Sequence, residues 1–327
     1  EEGLRLVRER GASPVLGTAL VTAGRLALAQ GSLGTARWSL RTSLALARAR
    51  GEARGAAVAR RHLAEVLFLS GEPRLARHLL SRGLVTFRRL GEERELAACL
   101  GRLGGVLAFE GRWEDAEGAL REGLAVLEQP GGGSAPPRAE LGRVLTSQGR
   151  LEEAAVCFES CLRAGRETGH PGTLVAALCG QGTVYLLRGE AERARGCFAE
   201  ARAVCERLNE RRGLADARLG LGRVALARGE LAAARAHLDG ALCTAMEVGA
   251  VPLVLEVLAA LAELSRRPEP LPQLEQALRS IHAHPLASAV TRQRIAQRLG
   301  GDRTPSPPGE SPELPLLVSQ VLGALAG

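Results

Sequence analysis

Residues Leu141–Leu162 read LGRVLTSQGRLEEAAVCFESCL. The stretch turns on Gly149. A small residue, Gly142, stands seven positions before it; Ala154 stands five after, Phe158 nine after and Gly169 twenty after. The same spacing recurs around Gly31, Gly71, Gly111, Gly189 and Gly229. The column five after is Ala36, Ala76, Ala116, Ala154, Ala194 and Ala234. Seven before come Gly24, Ala64, Gly104, Gly142, Gly182 and Gly222, and nine after come Leu40, Leu80, Leu120, Phe158, Phe198 and Leu238. Twenty after come Gly51, Gly91, Gly131, Gly169, Asn209 and Gly249. Successive turn glycines are about 40 residues apart, a period that signals a stacked repeat.

Each column has a physical cause. The turn glycine separates two helical patterns, where the chain must leave a helix, often with positive φ. The small column lies mid-helix, where glycine costs about 1 kcal/mol against alanine. Its recurrence in register therefore implies an approach too close for a Cβ. The alanine column is expected to meet it from the facing helix, and the large apolar column to fill the space between successive pairs. The last column closes the second helix with a left-handed cap. The chain's single asparagine falls there, and asparagine tolerates that conformation best after glycine. Acids and proline follow the turn glycines, as in Gly71-Glu-Pro and Gly149-Arg-Leu-Glu-Glu, and suit a helix N-terminus. Each unit is thus a helical hairpin. The fourth is shortened by two residues and follows Pro130-Gly-Gly-Gly-Ser-Ala-Pro-Pro137, where the largest hinge or irregularity is expected.

These units resemble tetratricopeptide repeats. The resemblance rests on Leu141–Leu162, on LGRVALARGELAAARAHLDGAL at Leu221–Leu242, and on LGGVLAFEGRWEDAEGALREGL at Leu103–Leu124. The departure is length: about 40 residues instead of about 34, with no closing proline. Long units ending in glycine resemble the arrays at the C-termini of large bacterial transcription regulators and signal-transduction ATPases, such as maltose-activator-like and antibiotic-regulatory proteins. The segment LEQALRSIHAHPLASAVTRQRIAQRL, Leu274–Leu299, resembles the tail that closes many of them. The resemblance implies an all-α, right-handed α-solenoid. Six hairpins occupy residues 1–250. A degenerate seventh pair (251–265 and 271–283) and a cap helix (286–299) occupy 251–300. A Pro-rich linker spans 301–312, and a short apolar helix spans 313–327, expected to dock back on the array.

Composition removes several function classes. All 43 basic residues are arginine, so no P-loop, Schiff-base or kinase lysine exists. Eight aromatic rings among 327 residues leave no base-stacking platform, and arginines alternate with glutamates, so the pI of 9.6 marks a solvated face and nucleic-acid binding is not expected. The longest apolar stretch, Val251–Leu264, contains Glu256 and Glu263 and is too short to span a bilayer. Residues 1–10, EEGLRLVRER, carry no leader pattern, and the missing initiator Met suggests a piece of a longer protein. Seven cysteines inside helical patterns point to a reducing cytoplasm. Cys157 and Cys161, four apart, and His282 and His284 are read as packing residues, with no metal. His62, His78, His170 and His237 stand at scattered offsets without a nucleophile motif, so no catalysis and no cofactor are expected.

What remains is the face formed by first helices. Its candidate partner-binding residues are His62, Phe68, Leu69, Arg102, Phe109, Arg143, Leu186 and Arg223, apolar anchors mixed with arginine. The chaperone-type carboxylate clamp of some tetratricopeptide proteins uses lysine and asparagine, which these positions lack. The expected function is non-catalytic: the scaffold or sensor arm of a multidomain bacterial regulator, binding a protein or peptide segment or other domains of its own chain. Sensing of a small effector is one alternative. Oligomerisation through 313–326 is another.

Overall fold

The computed structural model describes residues 14–30, 32–127, 136–265, 272–299 and 313–326. Gly31 and Gly131, much of the 130–137 break, most of the 266–272 turn and the 301–312 linker lie outside them. Among the described residues there are sixteen helices and no strand. They are α1 (Pro14–Ala29), α2 (Leu33–Ala49), α3 (Ala53–Leu69), α4 (Pro73–Leu90), α5 (Glu93–Phe109), α6 (Trp113–Leu127), α7 (Pro136–Ser147), α8 (Leu151–Thr168), α9 (Pro171–Leu187), α10 (Ala191–Leu208), α11 (Arg211–Arg228), α12 (Leu231–Glu247), α13 (Val251–Ala262), α14 (Pro272–Ala283), α15 (Ala289–Arg298) and α16 (Leu314–Ala326). The chain divides into two compact units, residues 1–108 with 112–141, and residues 109–111 with 142–327. The fold is all-α, helical hairpins stacked within each unit.

The turns are where the spacing puts them. Gly71, Gly111, Gly149, Gly189 and Gly229 have φ between 76° and 91°, and Asn209 adopts φ 52°. Asn209 does two jobs with its neighbour. It ends α10, its N–H reaching the Glu206 carbonyl at 3.4 Å, while the Glu210 N–H reaches the Cys205 carbonyl at 2.9 Å. Glu210 then caps α11: its carboxylate accepts from the Arg212 N–H (3.1 Å) and the Gly213 N–H (2.7 Å).

The core corrects one expectation. The alanine column is fully buried, but alanine does not fill the gap at the small column. The large apolar residue of the same hairpin does. A Cβ on Gly24 would meet Leu40 at 2.7 Å, one on Gly142 would meet Phe158 at 2.7 Å, and one on Gly182 would meet Phe198 at 2.9 Å. Gly104 and Gly222 face Leu120 and Leu238 in the same way. An alanine methyl is too short to reach across a helix pair; a leucine or a ring is not. The two phenylalanines go further. Phe158 also lies against Gly180 of the next hairpin, and Phe198 against Gly220, each so closely that no Cβ fits. Each ring is clamped between two helices. Where the column holds leucine, the corresponding position of the next hairpin carries a side chain: His62 after Leu40, Arg102 after Leu80, Glu140 after Leu120.

Arginine and glutamate link successive hairpins on the outside. Arg37 pairs with Glu72 (2.7 Å), Arg54 with Glu92 (2.6 Å) and Arg88 with Glu122 (2.6 Å) in the first unit. Arg166–Glu200 (3.3 Å) and Arg211–Glu247 (3.0 Å) repeat the device in the second. Such exposed pairs contribute about 0–1 kcal/mol each, so they set register more than stability.

The C-terminal end is built differently. Helix α13 is buried on nearly all sides, and α14, α15 and α16 surround it. Arg292 of α15 donates to the carbonyls of His282 (3.2 Å) and His284 (3.1 Å), and Arg298 to that of Ser265 (2.8 Å), so α15 satisfies carbonyls that the ends of α13 and α14 leave open. Helix α16 buries Leu317, Val321 and Ala324 against α13 and α14. Among the described residues no helix is long and apolar enough to cross a membrane.

Candidate partner-binding surface

The eight expected contact residues divide between the units. In the first unit, Phe68 and Leu69 are half-buried at the end of α3, Phe68 leaning on the core of that unit. Arg102 of α5 is exposed and donates to Glu65 of α3 at 2.8 Å. His62 is only 7% exposed. Its Nε2 lies 3.1 Å from Arg61 Nη2, an arrangement that needs the proton on Nδ1. Burial first, then the charges of Arg61, Arg25 and Arg102, push the imidazole down to about 3, so it stays neutral. His62 belongs to the interior of the helix stack and presents no open contact face. Gly180 and Gly220, in the same column, are likewise interior, under the phenylalanine rings.

In the second unit, Phe109 is partly buried at the end of α5 and Arg143 of α7 is exposed. Leu186 of α9 and Arg223 of α11 are brought together. With Leu226, Ala227, Leu231, Glu263 and Arg294 they line an open depression of about 350 Å³. Its lining mixes aliphatic and charged side chains. Arg223, with 14% of its side chain exposed, donates to Glu256 of α13 at 2.8 Å. Burial works against a Glu256 carboxylate, but Arg223, backed by Arg294 and Arg143, outweighs it and lowers the Glu256 pKa. Arg294 of α15 makes no hydrogen bond to any described residue. Burial and the Arg223 charge both disfavour its cation, and Glu256 and Glu263 offset them in part. The depression therefore holds one arginine already committed to a carboxylate and one guanidinium whose donors are unspent.

Asp216 of α11 stands beside this group. Its carboxylate meets water, yet protein crowds it enough that its pKa is pushed up to about 6, with Glu256 adding to burial and Arg212 and Arg143 opposing. The folded carboxyl then titrates above its unfolded counterpart. The native state holds the proton more tightly, so this group's contribution to stability falls as pH rises from about 4 to about 6 and is level above. Asp216→Asn is expected to raise the melting temperature at neutral pH and to leave it unchanged below about pH 4. Solvent at the carboxylate limits the gain to about 1 kcal/mol or less. Melting curves of both proteins across that range check it; an equal offset at every pH would remove Asp216 as the cause.

Burial pushes the Cys99 and Cys205 thiols up to about 12 and the Cys179 thiol well above its ordinary value, which withholds the nucleophilic thiolate. Among the described residues no three His, Cys, Asp or Glu side chains gather as metal ligands would. Cys157 and Cys161 lie on α8, half-buried and buried. His284 Nδ1 accepts from the Leu286 N–H at 3.1 Å, a local turn contact.

Sequence reasoning missed Asp216, Glu256, Glu263 and Arg294. Asp216 and Glu256 are 40 residues apart and share one repeat column, as do Arg223 and Glu263, so an acid count by column would have found three of the four. Arg294 stands on α15, outside the repeat, and carries no periodic signal.

The tetratricopeptide-repeat family model matches residues 55–129, and a second tetratricopeptide-repeat model matches 138–168. No curated protein matches the sequence. Among solved structures, a Rap protein complexed with Competence and Sporulation Factor is 16% identical, with 89% of this chain and 77% of that one covered and a TM-score of 0.60. A signal-transduction ATPase with numerous domains and a tetratricopeptide-repeat sensor, from Pyrococcus horikoshii, is 14% identical, with 95% of this chain and 47% of that one covered and a TM-score of 0.54. Aspartyl phosphate phosphatase F from Bacillus subtilis is 11% identical, with 91% and 98% covered and a TM-score of 0.52. At such identities the likeness is one of fold.

Proposed function

This chain is a tetratricopeptide-repeat protein, and we propose that it is a non-catalytic interaction module that binds a short segment of a protein partner, or of another domain of its own chain. The observation that carries the reading is the depression of the second unit. Leu186, Leu226, Ala227 and Leu231 give an apolar seat for one large side chain, and Arg294 lines it beside them with no hydrogen bond to any described residue. A peptide with an aliphatic or aromatic residue next to a carboxylate matches both, the carboxylate taking the geometry that a guanidinium fork favours. Phe109 and Arg143 are the further contacts of this reading in the second unit; Phe68, Leu69 and Arg102 are proposed as a contact set of the first unit by itself. The fold supports it as well: the similar Rap protein was solved with Competence and Sporulation Factor bound, and the Pyrococcus horikoshii protein's repeats are described as a sensor. On that footing the chain serves as the sensor or scaffold arm of a bacterial cytoplasmic regulator.

Panning a displayed random peptide library against the full chain tests the site. Enriched peptides are expected to pair an apolar residue with an adjacent acid. Leu226→Asp, half-buried and therefore tolerable to the fold, is expected to weaken them at least tenfold, and Arg294→Gln several-fold, with melting temperatures held. A folded Leu226→Asp protein that captures the same peptides undiminished overturns the assignment.

A further inference from the structure

Positive charge in the first unit outruns its acids. From Leu33 to Leu90 the chain carries twelve arginines and three acids, a local excess larger than the net charge of +7 on the whole chain. Each of those acids already has an arginine: Glu52 pairs with Arg50 (3.2 Å), Glu65 with Arg102 (2.8 Å) and Glu72 with Arg37 (2.7 Å). Arg48 of α2, Arg60 of α3 and Arg82 of α4 make no hydrogen bond or ion pair with any described residue. Arg60 is half-buried, and its Nε is sealed from water without an acceptor. Arg188, Arg202, Arg223 and Arg279 bury an Nε in the same way, but each of them is ion-paired. Burial, then the charges of Arg48 and Arg82, lower the Arg60 pKa, so both neighbours act on it by repulsion.

The repeat contains a satisfied version of the same arrangement. Arg218 of α11 stands in the column of Arg60, eleven before the turn glycine; Gly240 stands where Arg82 does, and Glu206 where Arg48 does. Arg218 Nη1 donates to the Gly240 carbonyl (3.2 Å) and to the Thr244 hydroxyl (2.9 Å), and Glu206 is 3.7 Å from Arg202. Thr86, the counterpart of Thr244, donates to the Arg82 carbonyl at 3.2 Å, so the same acceptors stand on α4. The difference is the side chain beside them. A Cβ on Gly240 would lie 3.5 Å from both Cδ and Nη1 of Arg218. An arginine at that position of α4 therefore starts its stem against the Arg60 guanidinium and holds it off the carbonyl. Packing does not require a cation here, since the same column holds Leu100, Leu178 and Leu258, each at most 1% exposed.

We propose that Arg48, Arg60 and Arg82 form a binding site for a phosphomonoester, whether of a small molecule or of a phosphorylated side chain. Three helices bring three guanidiniums together with no counter-charge of their own. A carboxylate fills one guanidinium fork with two coplanar oxygens. A phosphomonoester presents three oxygens in different directions and a charge of about −1.5 to −2. It replaces mutual repulsion by three attractions. This site goes beyond the depression of the second unit and does not depend on it.

Thermal unfolding of the full chain in inorganic phosphate, against sodium chloride of equal ionic strength, tests it. Phosphate is expected to raise the melting temperature beyond chloride. Arg60→Leu, which installs the residue found at Leu100 and Leu178, is expected to stay folded and to lose that difference. Arg82→Gly, which reproduces the surroundings of Arg218, is expected to lose it as well. An equal shift in both salts, or a phosphate shift retained by folded Arg60→Leu, overturns the proposal. Titrations followed by arginine side-chain NMR then compare phosphoserine, a short phosphoserine peptide and glutamate. A peptide that binds more tightly than phosphoserine supports the site with a phosphorylated segment as its source, and equal affinity supports it with a small molecule. Glutamate is expected to bind at least about tenfold more weakly than phosphoserine. Equal binding of those two overturns the choice of a phosphomonoester.

Discussion

Gly180→Ala is expected to destabilise the second unit by about 2 kcal/mol, although alanine is the better helix former by about 1 kcal/mol. The sign follows from Phe158. A Cβ on Gly180 would fall inside the van der Waals envelope of the Phe158 ring. The ring cannot retreat, because it is fully buried and Gly142 holds its other side with only 2.7 Å to a built Cβ. Overpacking of this kind costs about 1–3 kcal/mol and here must also cancel the gain in helix propensity. Phe158→Leu alone should cost about 1–2 kcal/mol through the space it opens. The two together should be milder than either sum suggests, since leucine opposite a side chain is the combination at Leu40 with His62 and Leu80 with Arg102. A coupling of about 1.5 kcal/mol or more is expected in a double-mutant cycle read by urea unfolding. Strictly additive costs would show that ring and glycine do not depend on each other.

That pairing marks the limit of what spacing reveals. The turn glycines, the Asn209 cap and the helix order were legible because they are local: each follows from a residue's own backbone preferences and its distance along the chain. The identity of the residue that fills the space at Gly142 was not. Ala154 and Phe158 both recur in register with Gly142, and only the length of the side chain decides which one arrives. The candidate contact residues meet the same limit. Leu186 and Arg223 do line one depression, but His62, in a column that ends in Gly180 and Gly220, is drawn inside. The ion pairs of Arg102 and Arg223 leave no local signal, because their partners, Glu65 and Glu256, lie 37 and 33 residues away and on other helices. Arg294 obeys no repeat at all. It reaches the depression because α15 packs on α13, a consequence of tertiary packing that no period encodes.

The same packing decides how the C-terminal helix should respond to damage. Amphipathic periodicity in 313–326 says that α16 needs a cover, and leaves open whether its own chain or a second copy provides it. In the structure Leu317 and Val321 are both fully buried, packed with α13 and α14. Val321→Asp should therefore place a carboxylate in an apolar site with no partner, at a cost of about 3–5 kcal/mol, and Leu317→Asp should do the same. The loss is expected to show as faster amide exchange throughout α13 and α14, whose faces α16 covers, while α2–α4 keep their protection because the hairpins there contact only their neighbours. The mass by light scattering should stay that of the unsubstituted chain. If α16 instead joined two copies, Val321→Asp would lower the mass and leave exchange in α13 and α14 untouched. Substitution at Leu316, half-exposed one residue from Leu317, separates general helix disruption from loss of the docked face: Leu316→Asp should change neither reading, because its side chain already meets water and its helix position is equivalent in propensity.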